Sequence, residues 1–384
     1  MSEKNLKLKK QRVLVGMSGG VDSSVAALLL QKEGYKVEGA FLDFTGGEKG
    51  ERDFASAQKI ARKLSIQIYK VDAQETFRKK IVNKFVSDYK KGITPNPCVL
   101  CNPQMKFKLL IEEANRRGIE RVATGHYARV GREFPISNFQ FPNKSQMTNS
   151  KSETKSSHQS AVISHQLFVA KDLNKDQSYF LYRLTQKQLE RIIFPLGGYL
   201  KTQVREIAQE NNFEIKNEEE SQDVCFINDN DFNRFISEKI PNKPGKIVDS
   251  DGKVLGKHNG LHFYTIGQRK GINLGGDGPY FVVKKDMINN ELVVANNPVE
   301  SLWRDEFEIN DVNWIESDLQ FPLAARVRIR YRTEEIHAII EELNAKKDKN
   351  YRIKLDQPQK AITPGQSAVF YFDSGEVLGG GIIL

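Results

Sequence analysis

The stretch GMSGGVDSSV, residues 16–25, lies between an apolar run, RVLVGM (residues 12–17), and a helix-like run, SSVAALLLQKEG (residues 23–34). Glycine and serine between a strand and a helix predict a loop whose backbone N–H groups can hold a phosphate at the helix N-terminus. A second buried strand is predicted at KVEGAFL, residues 36–42, with Gly34 as the helix cap. Strand, loop, helix and strand over about thirty residues form the unit of a parallel α/β sheet.

The loop differs from a Walker A loop, whose lysine reaches the β- and γ-phosphates of a bound nucleotide. Here Gly19 and Gly20 are adjacent, no lysine follows them, and Asp22 occupies the turn. Backbone N–H groups of residues 18–24 can still hold a phosphate. Because the Asp22 carboxylate would repel that phosphate without a cation between them, we predict Mg²⁺ at Asp22.

The composition is that of a globular protein with an excess of basic residues. The 384 residues exceed what one core usually fills, so two or three domains are expected. Lys and Arg number 58 against 49 Asp and Glu, and this net charge of +9 favours a polyanionic partner such as nucleic acid, although a solvated basic face would also explain it. No apolar run reaches the ~18 residues of a membrane span, which predicts a cytoplasmic protein without a membrane partner.

The chain changes character along its length. An α/β domain is expected at residues 1–237, interrupted at about 143–160 by a polar segment that we predict to be flexible. Within it, residues 75–92 predict an exposed amphipathic helix, and RVATGHYARV, residues 121–130, predicts a strand. A small β-rich domain is expected at residues 238–300 and a second β domain at 301–384, where the sequence alternates as antiparallel strands do.

The three cysteines are too few for a disulfide scaffold and suit a reducing compartment. Cys98 and Cys101 form a Cys-x-x-Cys in NPCVLCN, and Cys225 supplies a third thiol in ESQDVCFI. That spacing is compatible with zinc, an iron–sulfur cluster or a redox disulfide. A structural zinc site usually takes four ligands, and His258 and His262 are the histidines whose spacing could add to the thiols.

The sequence motifs around these residues resemble those of known protein families. SGGVDSS is similar to the loop of the PP-loop ATP pyrophosphatases, which cleave ATP between the α- and β-phosphates and pass AMP to a substrate oxygen. Such a loop holds the departing pyrophosphate, so it does not need the lysine of γ-phosphoryl transfer. The loop is followed in order by TPNPCVLCNPQMKFK, ATGHYARV, KDQSYFLYRL, CFI, GLHFYTIGQRKGI and TPGQSAVFY. From Arg12 to Leu384 the chain resembles the tRNA-specific 2-thiouridylase family.

The resemblance implies an α/β fold: a parallel-sheet PP-loop ATP pyrophosphatase domain, a small β-rich central domain and a C-terminal β-barrel-like domain. It also implies a reaction in which ATP adenylates the C2 oxygen of the wobble uridine, position 34 of tRNA, and a persulfide then delivers sulfur. Cys225 would carry that persulfide, and Cys101 would help release the sulfur and form a disulfide with Cys225. Many family members have aspartate at the position of Cys98. Three roles stay open for Cys98: a replacement base, which requires a lowered pKa; a ligand of a 4Fe-4S cluster with the other two thiols; or a bystander.

The same resemblance assigns the remaining candidate residues. The implied partners are ATP with Mg²⁺, tRNAs for lysine, glutamate and glutamine, and a sulfur donor such as a cysteine desulfurase or a relay protein. Arg suits phosphate, Tyr and His suit stacking on an unpaired base, and Gln suits a base edge. Candidate ATP residues are Gly16, Met17, Ser18, Gly19, Gly20, Val21, Asp22, Ser23, Ser24, Leu42 and Gly125; candidate tRNA residues are Asn96, Pro97, Cys98, His126, Lys175, Asp176, Gln177, Arg330, Tyr331 and Gln366.

Three other functions are weighed against this one. Another AMP-forming PP-loop ligase, such as an amidotransferase-coupled synthetase or argininosuccinate synthetase, gives no reason for the thiols beside TPNP and CFI. A noncatalytic RNA-binding protein would not need the loop to keep both glycines, both serines and Asp22. An iron–sulfur redox carrier would need neither an ATP loop nor a basic β domain. Turnover of ATP to AMP distinguishes among these functions.

Overall fold

The computed structural model describes residues 11–133, 164–213, 224–227, 231–275, 279–296, 302–343 and 349–384. The predicted flexible segment at about 143–160 lies outside the described residues. No helix in these ranges is both long and apolar enough to cross a membrane.

The regular elements alternate between helix and strand at first and are almost all strands after residue 245. The strands are β1 Arg12–Gly16, β2 Lys36–Asp43, β3 Ile68–Asp72, β4 Arg121–Ala123, β5 Arg129–Glu133, β6 Ser164–Phe168, β7 Ile192–Ile193, β8 Gly245–Val248, β9 Val254–His258, β10 Phe281–Asp286, β11 Glu291–Ala295, β12 Trp303–Trp314, β13 Leu323–Arg328, β14 Ile336–Leu343, β15 Asn350–Lys360, β16 Ser367–Tyr371 and β17 Glu376–Ile383. The α-helices are α1 Val21–Lys32, α2 Gly47–Lys63, α3 Gln74–Phe77, α4 Asn83–Lys90, α5 Pro97–Cys101, α6 Lys108–Arg116, α7 Gln186–Leu189, α8 Lys201–Glu210 and α9 Phe232–Lys239.

The first sheet is parallel throughout and has the strand order β3-β2-β1-β4-β7. Val13, Leu14 and Val15 of β1 are fully buried, as expected for a central strand covered on both faces. Gly34 follows α1 with φ +94°, and its N–H donates to the Gln31 carbonyl oxygen (2.9 Å). The predicted strand–loop–helix–strand unit is therefore confirmed, together with its glycine cap.

Two β structures follow the parallel sheet. A four-stranded sheet has the order β10-β11-β8-β9 and encloses a small core around Ile247, Val282 and Leu292. After it, β12-β15-β14-β13-β16-β17 close into a six-stranded antiparallel barrel through pairing of β12 with β17. This confirms the predicted order of an α/β domain, a small β-rich domain and a C-terminal barrel. The exact boundaries, at residues 237/238 and 300/301, stay predictions.

Two local predictions differ from the structure. RVATGHYARV is not one strand: β4, which belongs to the parallel sheet, ends at Ala123, and β5 begins at Arg129 in the sheet that contains the barrel. The hairpin of β5 and β6 attaches to the barrel because β6 pairs with β17. The helix expected at residues 75–92 is interrupted by a π-helical turn, Arg78–Val82, although Phe77, Phe85 and other apolar side chains are buried along one face as predicted.

Candidate active site

The predicted phosphate loop, residues 16–24, leaves the carboxyl end of β1 and enters α1. The Ser18 N–H donates to Ser23 Oγ (3.2 Å), and the hydroxyls of Ser23 and Ser24 donate to the Gly20 carbonyl oxygen (3.1 and 2.8 Å). The two serines therefore hold the loop in shape. Gly20 is the N-cap of α1 and has no side chain to occupy the first-turn N–H groups, which suits an anion at this helix end.

The other two ATP candidates lie at the same edge of the sheet. Leu42 is near the end of β2, and Gly125 follows β4, the strand on the opposite side of β1. A Cβ on Gly125 would lie 2.7 Å from the carbonyl carbon of Asp22 and 2.7 Å from the Ser23 nitrogen, so this close approach requires glycine. Strands β2 and β3 lie on one side of β1, and β4 and β7 lie on the other, so the strand order reverses at β1. Ligands of α/β sheets bind at the carboxyl ends of the strands at such a point.

Asp22 is held by two residues that sequence reasoning did not select. Lys201 Nζ donates to both Asp22 carboxylate oxygens (2.7 and 2.8 Å), and the Tyr127 hydroxyl donates to Oδ1 (3.0 Å). Lys201 opens α8 in KTQVREIAQE, and nothing in that local pattern indicates its distant partner. The Asp22 carboxylate and the uncapped N–H groups would suit a nucleotide bound with Mg²⁺, and Asp22 is the residue that would hold the cation.

Cys98 and Cys101 lie on the short helix α5, which the sequence before it positions. Asn96 is its N-cap and accepts a hydrogen bond from the Cys98 N–H (3.2 Å), and Pro97 occupies the first helical position. Cys101 is 5% exposed and packs in a cluster with Phe77 and Met105. Together, the cap and the packing fix the positions of both thiols.

Cys225 approaches this helix from a distant part of the chain. Phe226, the next residue, packs against the cluster that contains Cys101, with its ring 5.6 Å from the Phe77 ring. Lys49 Nζ donates to the Cys225 carbonyl oxygen (3.0 Å). Cys225 is exposed, whereas Cys101 is buried, and all three cysteines carry free thiols. The structure therefore brings the three predicted thiols to one region, with Cys225 on its surface.

The buried thiols resist ionisation. Burial raises the pKa of Cys98, and it raises the pKa of Cys101 to about 12. The charge of Lys106 opposes this effect at both thiols, while a thiolate at Cys225 reinforces it. Lys106 lies on the π-helical segment Asn102–Phe107 that follows α5. It is a site residue that sequence reasoning missed, and it supplies the positive surroundings expected for a reactive thiol.

Neither alternative metal site is supported by the arrangement of ligands. Within the described ranges, no group of three or more His, Cys, Asp and Glu side chains is placed to hold a metal ion. His258 ends β9 and His262 lies in the 3₁₀ turn Leu261–Phe263, with their side chains in the small β domain. The geometry of the described residues therefore gives no support to the cluster or zinc hypotheses.

His126 follows Gly125 after β4, at the edge of the sheet where the phosphate loop lies. Its Nδ1 is 2.7 Å from Thr124 Oγ1, and its ring contacts those of Phe107 and Phe194. Burial lowers the pKa of His126 well below its usual range, and the nearby Lys106 cation lowers it further. The imidazole is therefore neutral at pH 7, which suits stacking or hydrogen bonding with a base more than pairing with a phosphate.

The three residues of KDQ have different surroundings. Asp176 is 1% exposed; its carboxylate accepts the Ala170 N–H (3.0 Å) and the Ser178 hydroxyl (2.7 Å) and pairs with Arg328 (3.1 Å). Gln177 is bonded in both directions to the backbone of Tyr127, beside His126. Lys175 is half-buried. The structure thus engages Asp176 and Gln177 inside the protein, and direct contact of this triplet with tRNA stays a prediction.

The barrel candidates also have partners within the chain. The Arg330 guanidinium donates to the carbonyl oxygens of Lys360 (2.6 Å) and Ala361. The Tyr331 ring lies 4.5 Å from the Phe180 ring, and Gln366 Nε2 donates to the Thr94 carbonyl oxygen (2.7 Å). Tyr331 and Gln366 therefore face the first domain, and Gln366 contacts the segment that leads to α5.

Comparison with known proteins covers the whole chain. The tRNA methyl transferase HUP domain matches residues 11–229, the tRNA methyl transferase PRC-barrel domain matches 233–296, and the aminomethyltransferase β-barrel domain matches 304–383. The tRNA-specific 2-thiouridylase MnmA of Halothermothrix orenii is 40% identical over 385 residues, which cover 97% of this chain and 98% of that protein. The chain belongs to the tRNA-specific 2-thiouridylase family. A second 2-thiouridylase, from Acetivibrio thermocellus, is 38% identical over 98% of this chain and 100% of its own length.

The domain descriptions mention methyl transfer, whereas these 2-thiouridylase relatives are sulfurtransferases. The thiols gathered around α5 match the second chemistry. A solved U34-tRNA thiolase from Methanococcus maripaludis is similar only at 16% identity and a TM-score of 0.34, covering 60% of this chain and 63% of that one. That thiolase was solved with its 4Fe-4S cluster, but the similarity is too low to support any statement about the fold or a cluster in this chain.

Proposed function

We propose that this protein is a tRNA-uridine 2-sulfurtransferase that uses ATP and an enzyme persulfide to convert the wobble uridine, position 34, to 2-thiouridine. The observation that carries the proposal is the presence of a phosphate loop and a set of neighbouring thiols in one domain. The loop provides for adenylation and the thiols provide for sulfur transfer, and these are the two half-reactions of such an enzyme.

In the first half-reaction, the C2 oxygen of uridine attacks the α-phosphorus of ATP. An oxygen–phosphorus bond forms, and the bond to the β-phosphate breaks with release of pyrophosphate. The loop at residues 16–24 would bind the phosphates through its backbone N–H groups, with Mg²⁺ at Asp22. The uridine oxygen, a poor leaving group, thereby becomes part of AMP.

In the second half-reaction, the terminal sulfur of a Cys225 persulfide attacks C2, and AMP leaves with the electron pair of the carbon–oxygen bond. The Cys101 thiolate then attacks Cys225 Sγ, so the sulfur–sulfur bond breaks and its electron pair stays with the nucleoside sulfur. A Cys101–Cys225 disulfide results, which a thiol reductant must reduce. Since burial keeps Cys101 protonated, its ionisation depends on the positive charge of Lys106. Burial also raises the pKa of Cys98, which works against a role for Cys98 as a base.

Contact with tRNA is supported by charge as well as by the candidate residues. A groove of basic residues lies along the π-helical turn and α4, two elements that lead to the cysteine helix. It suits the phosphates of an RNA stem, while His126 and Tyr331 suit an unstacked base. The residues of this groove include Arg78, Lys79, Lys90 and Lys239.

The partners are part of the same proposal. Substrates would be the tRNAs for lysine, glutamate and glutamine, and sulfur would come from a cysteine desulfurase, directly or through a relay protein. An exposed Cys225 can accept sulfur from another protein without unfolding. Three free thiols suit the reducing cytoplasm.

The test is mass spectrometry of nucleosides from unmodified glutamate tRNA, incubated with the protein, Mg-ATP and a persulfide source. We expect 2-thiouridine only with ATP, and none with Cys101→Ser or Cys225→Ser. Cys98→Ser is the matched control within α5, and we expect reduced but measurable product.

Failure of the wild-type protein, fully loaded with persulfide, to form 2-thiouridine would refute the proposed function. Full activity of iron-free protein would exclude the cluster mechanism, whereas product formed only after anaerobic restoration of iron and sulfide would replace the persulfide mechanism.

A further inference from the structure

The phosphate loop has no lysine of its own, but a lysine from far along the chain reaches it. Lys201 Nζ lies 2.7 and 2.8 Å from the two Asp22 carboxylate oxygens, across 179 residues of sequence. Its side chain is only 11% exposed. The ammonium also lies 5.7 Å from the centre of the Tyr127 ring, whose hydroxyl donates to the same carboxylate.

The fold fixes the position of the Lys201 backbone. Lys201 is the first residue of α8, and its backbone N–H donates to Asp172 Oδ2 (2.9 Å). Val204 and Ala208 of α8 are fully buried in the hydrophobic cluster that contains the apolar face of α1. The helix that carries Lys201 and the helix that begins at the loop are therefore packed together, and the ammonium is held at the mouth of the loop.

The ion pair matters because of what the loop is expected to bind. A carboxylate directed at a phosphate site repels the ligand, and Lys201 neutralises that charge while the site holds no nucleotide. A Mg²⁺ ion arriving with ATP needs the same carboxylate oxygens, so it competes with the ammonium for Asp22. A displaced ammonium, anchored through α8 at the mouth of the loop, would then be available to the phosphates bound there.

We propose that Lys201 is the phosphate-binding lysine of this loop, exchanging Asp22 for the β- and γ-phosphate oxygens when Mg-ATP binds. The proposal rests on the ATP site of the proposed function and adds a residue to it. A Walker A loop places its lysine within the loop itself. Here a lysine at the N-terminus of a separate helix supplies the same positive charge. In the absence of ATP, its ammonium is paired with the Asp22 carboxylate.

Calorimetric binding of Mg-ATP and of AMP to the full chain, without tRNA, tests this exchange. AMP lacks the β- and γ-phosphates, so a lysine that binds these phosphates contributes to the affinity for ATP and not to the affinity for AMP. We expect Lys201→Met to weaken Mg-ATP binding at least about tenfold, the effect of a lost charge-assisted hydrogen bond, and to leave AMP affinity at the wild-type value. Lys201→Arg should keep most of the preference for ATP. Lys32→Met, an exposed lysine at the end of α1, is the matched control and should change neither affinity.

An equal loss of ATP and AMP affinity in Lys201→Met would overturn the proposal, because a purely structural ion pair between α1 and α8 would affect both ligands. Unchanged ATP affinity would overturn it as well. If Lys201→Met does not fold, Asp22→Asn decides: in buffer without Mg²⁺ it should raise ATP affinity by releasing Lys201, and a fall would contradict the exchange. A wild-type protein that binds no Mg-ATP would instead refute the ATP step of the proposed function.

Discussion

Gln366 Nε2 donates to the carbonyl oxygen of Thr94 across 2.7 Å, which ties the barrel to the segment two residues before Asn96, the cap of the cysteine helix. The backbone strengthens this tie, since the Thr94 N–H donates to the Pro364 carbonyl oxygen (3.1 Å). On the other side, Thr94 Oγ1 lies 3.5 Å from Thr265 Oγ1 of the small β domain. The segment that positions the thiols is therefore held by both β domains.

Gln366→Ala should lower the free energy of unfolding by about 1 kcal/mol, because the Thr94 carbonyl oxygen loses its side-chain donor. Chemical denaturation measures this change, and Gln357→Ala, an exposed glutamine of β15, serves as the matched control. Loss of tRNA affinity with unchanged stability would instead show that Gln366 acts chiefly on RNA, as the family resemblance implies.

Gly125→Ala should weaken Mg-ATP binding by about tenfold or more, since the new Cβ would push against the backbone of Asp22 and Ser23 and displace the loop. Titration calorimetry measures the affinity. Gly198→Ala is the control, because a Cβ there meets no atom within 4 Å. Equal affinities for the two variants would mean that the loop does not bind the nucleotide in this geometry.

Alkylation should distinguish the three thiols. With limiting iodoacetamide at pH 8, we expect Cys225 to react first because it is exposed, and Cys101 to react slowly because it is buried and its pKa is raised to about 12. Peptide mass spectrometry of the native protein follows each site. In guanidinium the three rates should become similar; a native Cys101 that reacts as fast as Cys225 would contradict the buried placement.

Stability should fall at alkaline pH through Cys101. Its pKa rises from an ordinary 9.0 to about 12 on folding, so the unfolded chain releases this proton first as the pH increases. The contribution is complete below pH 9 and is lost between pH 9 and 12, by up to about 1.4 kcal/mol per pH unit. Urea unfolding of wild type and Cys101→Ser across this range isolates it, because serine does not titrate there. If the free energy of unfolding depends on pH in the same way for the two proteins, a buried, protonated Cys101 is excluded.

Local features were predictable from sequence because their causes are local. The buried β1 and the glycine cap at Gly34 each depend on residues within one turn or strand. The ATP candidates converge because parallel strands end at a common edge of the sheet. Nothing comparable links Lys201 to Asp22, whose contact arises only when α8 packs on α1.

The features that were not predicted from the sequence also have specific causes. RVATGHYARV has one continuous strand-like pattern, yet the chain changes sheets within it, and a pattern of apolar residues does not say which sheet a strand joins. The tRNA contacts expected at Asp176 and Arg330 stay predictions, and hydrogen bonds within the protein already engage both side chains. Lys106 was unremarkable in sequence and gained its importance from the folded positions of Cys98, Cys101 and His126.

The hairpin of β5 and β6 depends on a late part of the chain, since β6 lies between β5 and β17. A chain truncated after residue 300 would keep the hairpin and lose β17, which leaves the backbone groups of Leu167 and Phe168 unpaired on that side of β6. Such an open edge is a template for association between chains. The isolated catalytic domain is therefore expected to aggregate where the intact protein does not, and attempts to minimise this enzyme should retain β17 or replace the hairpin.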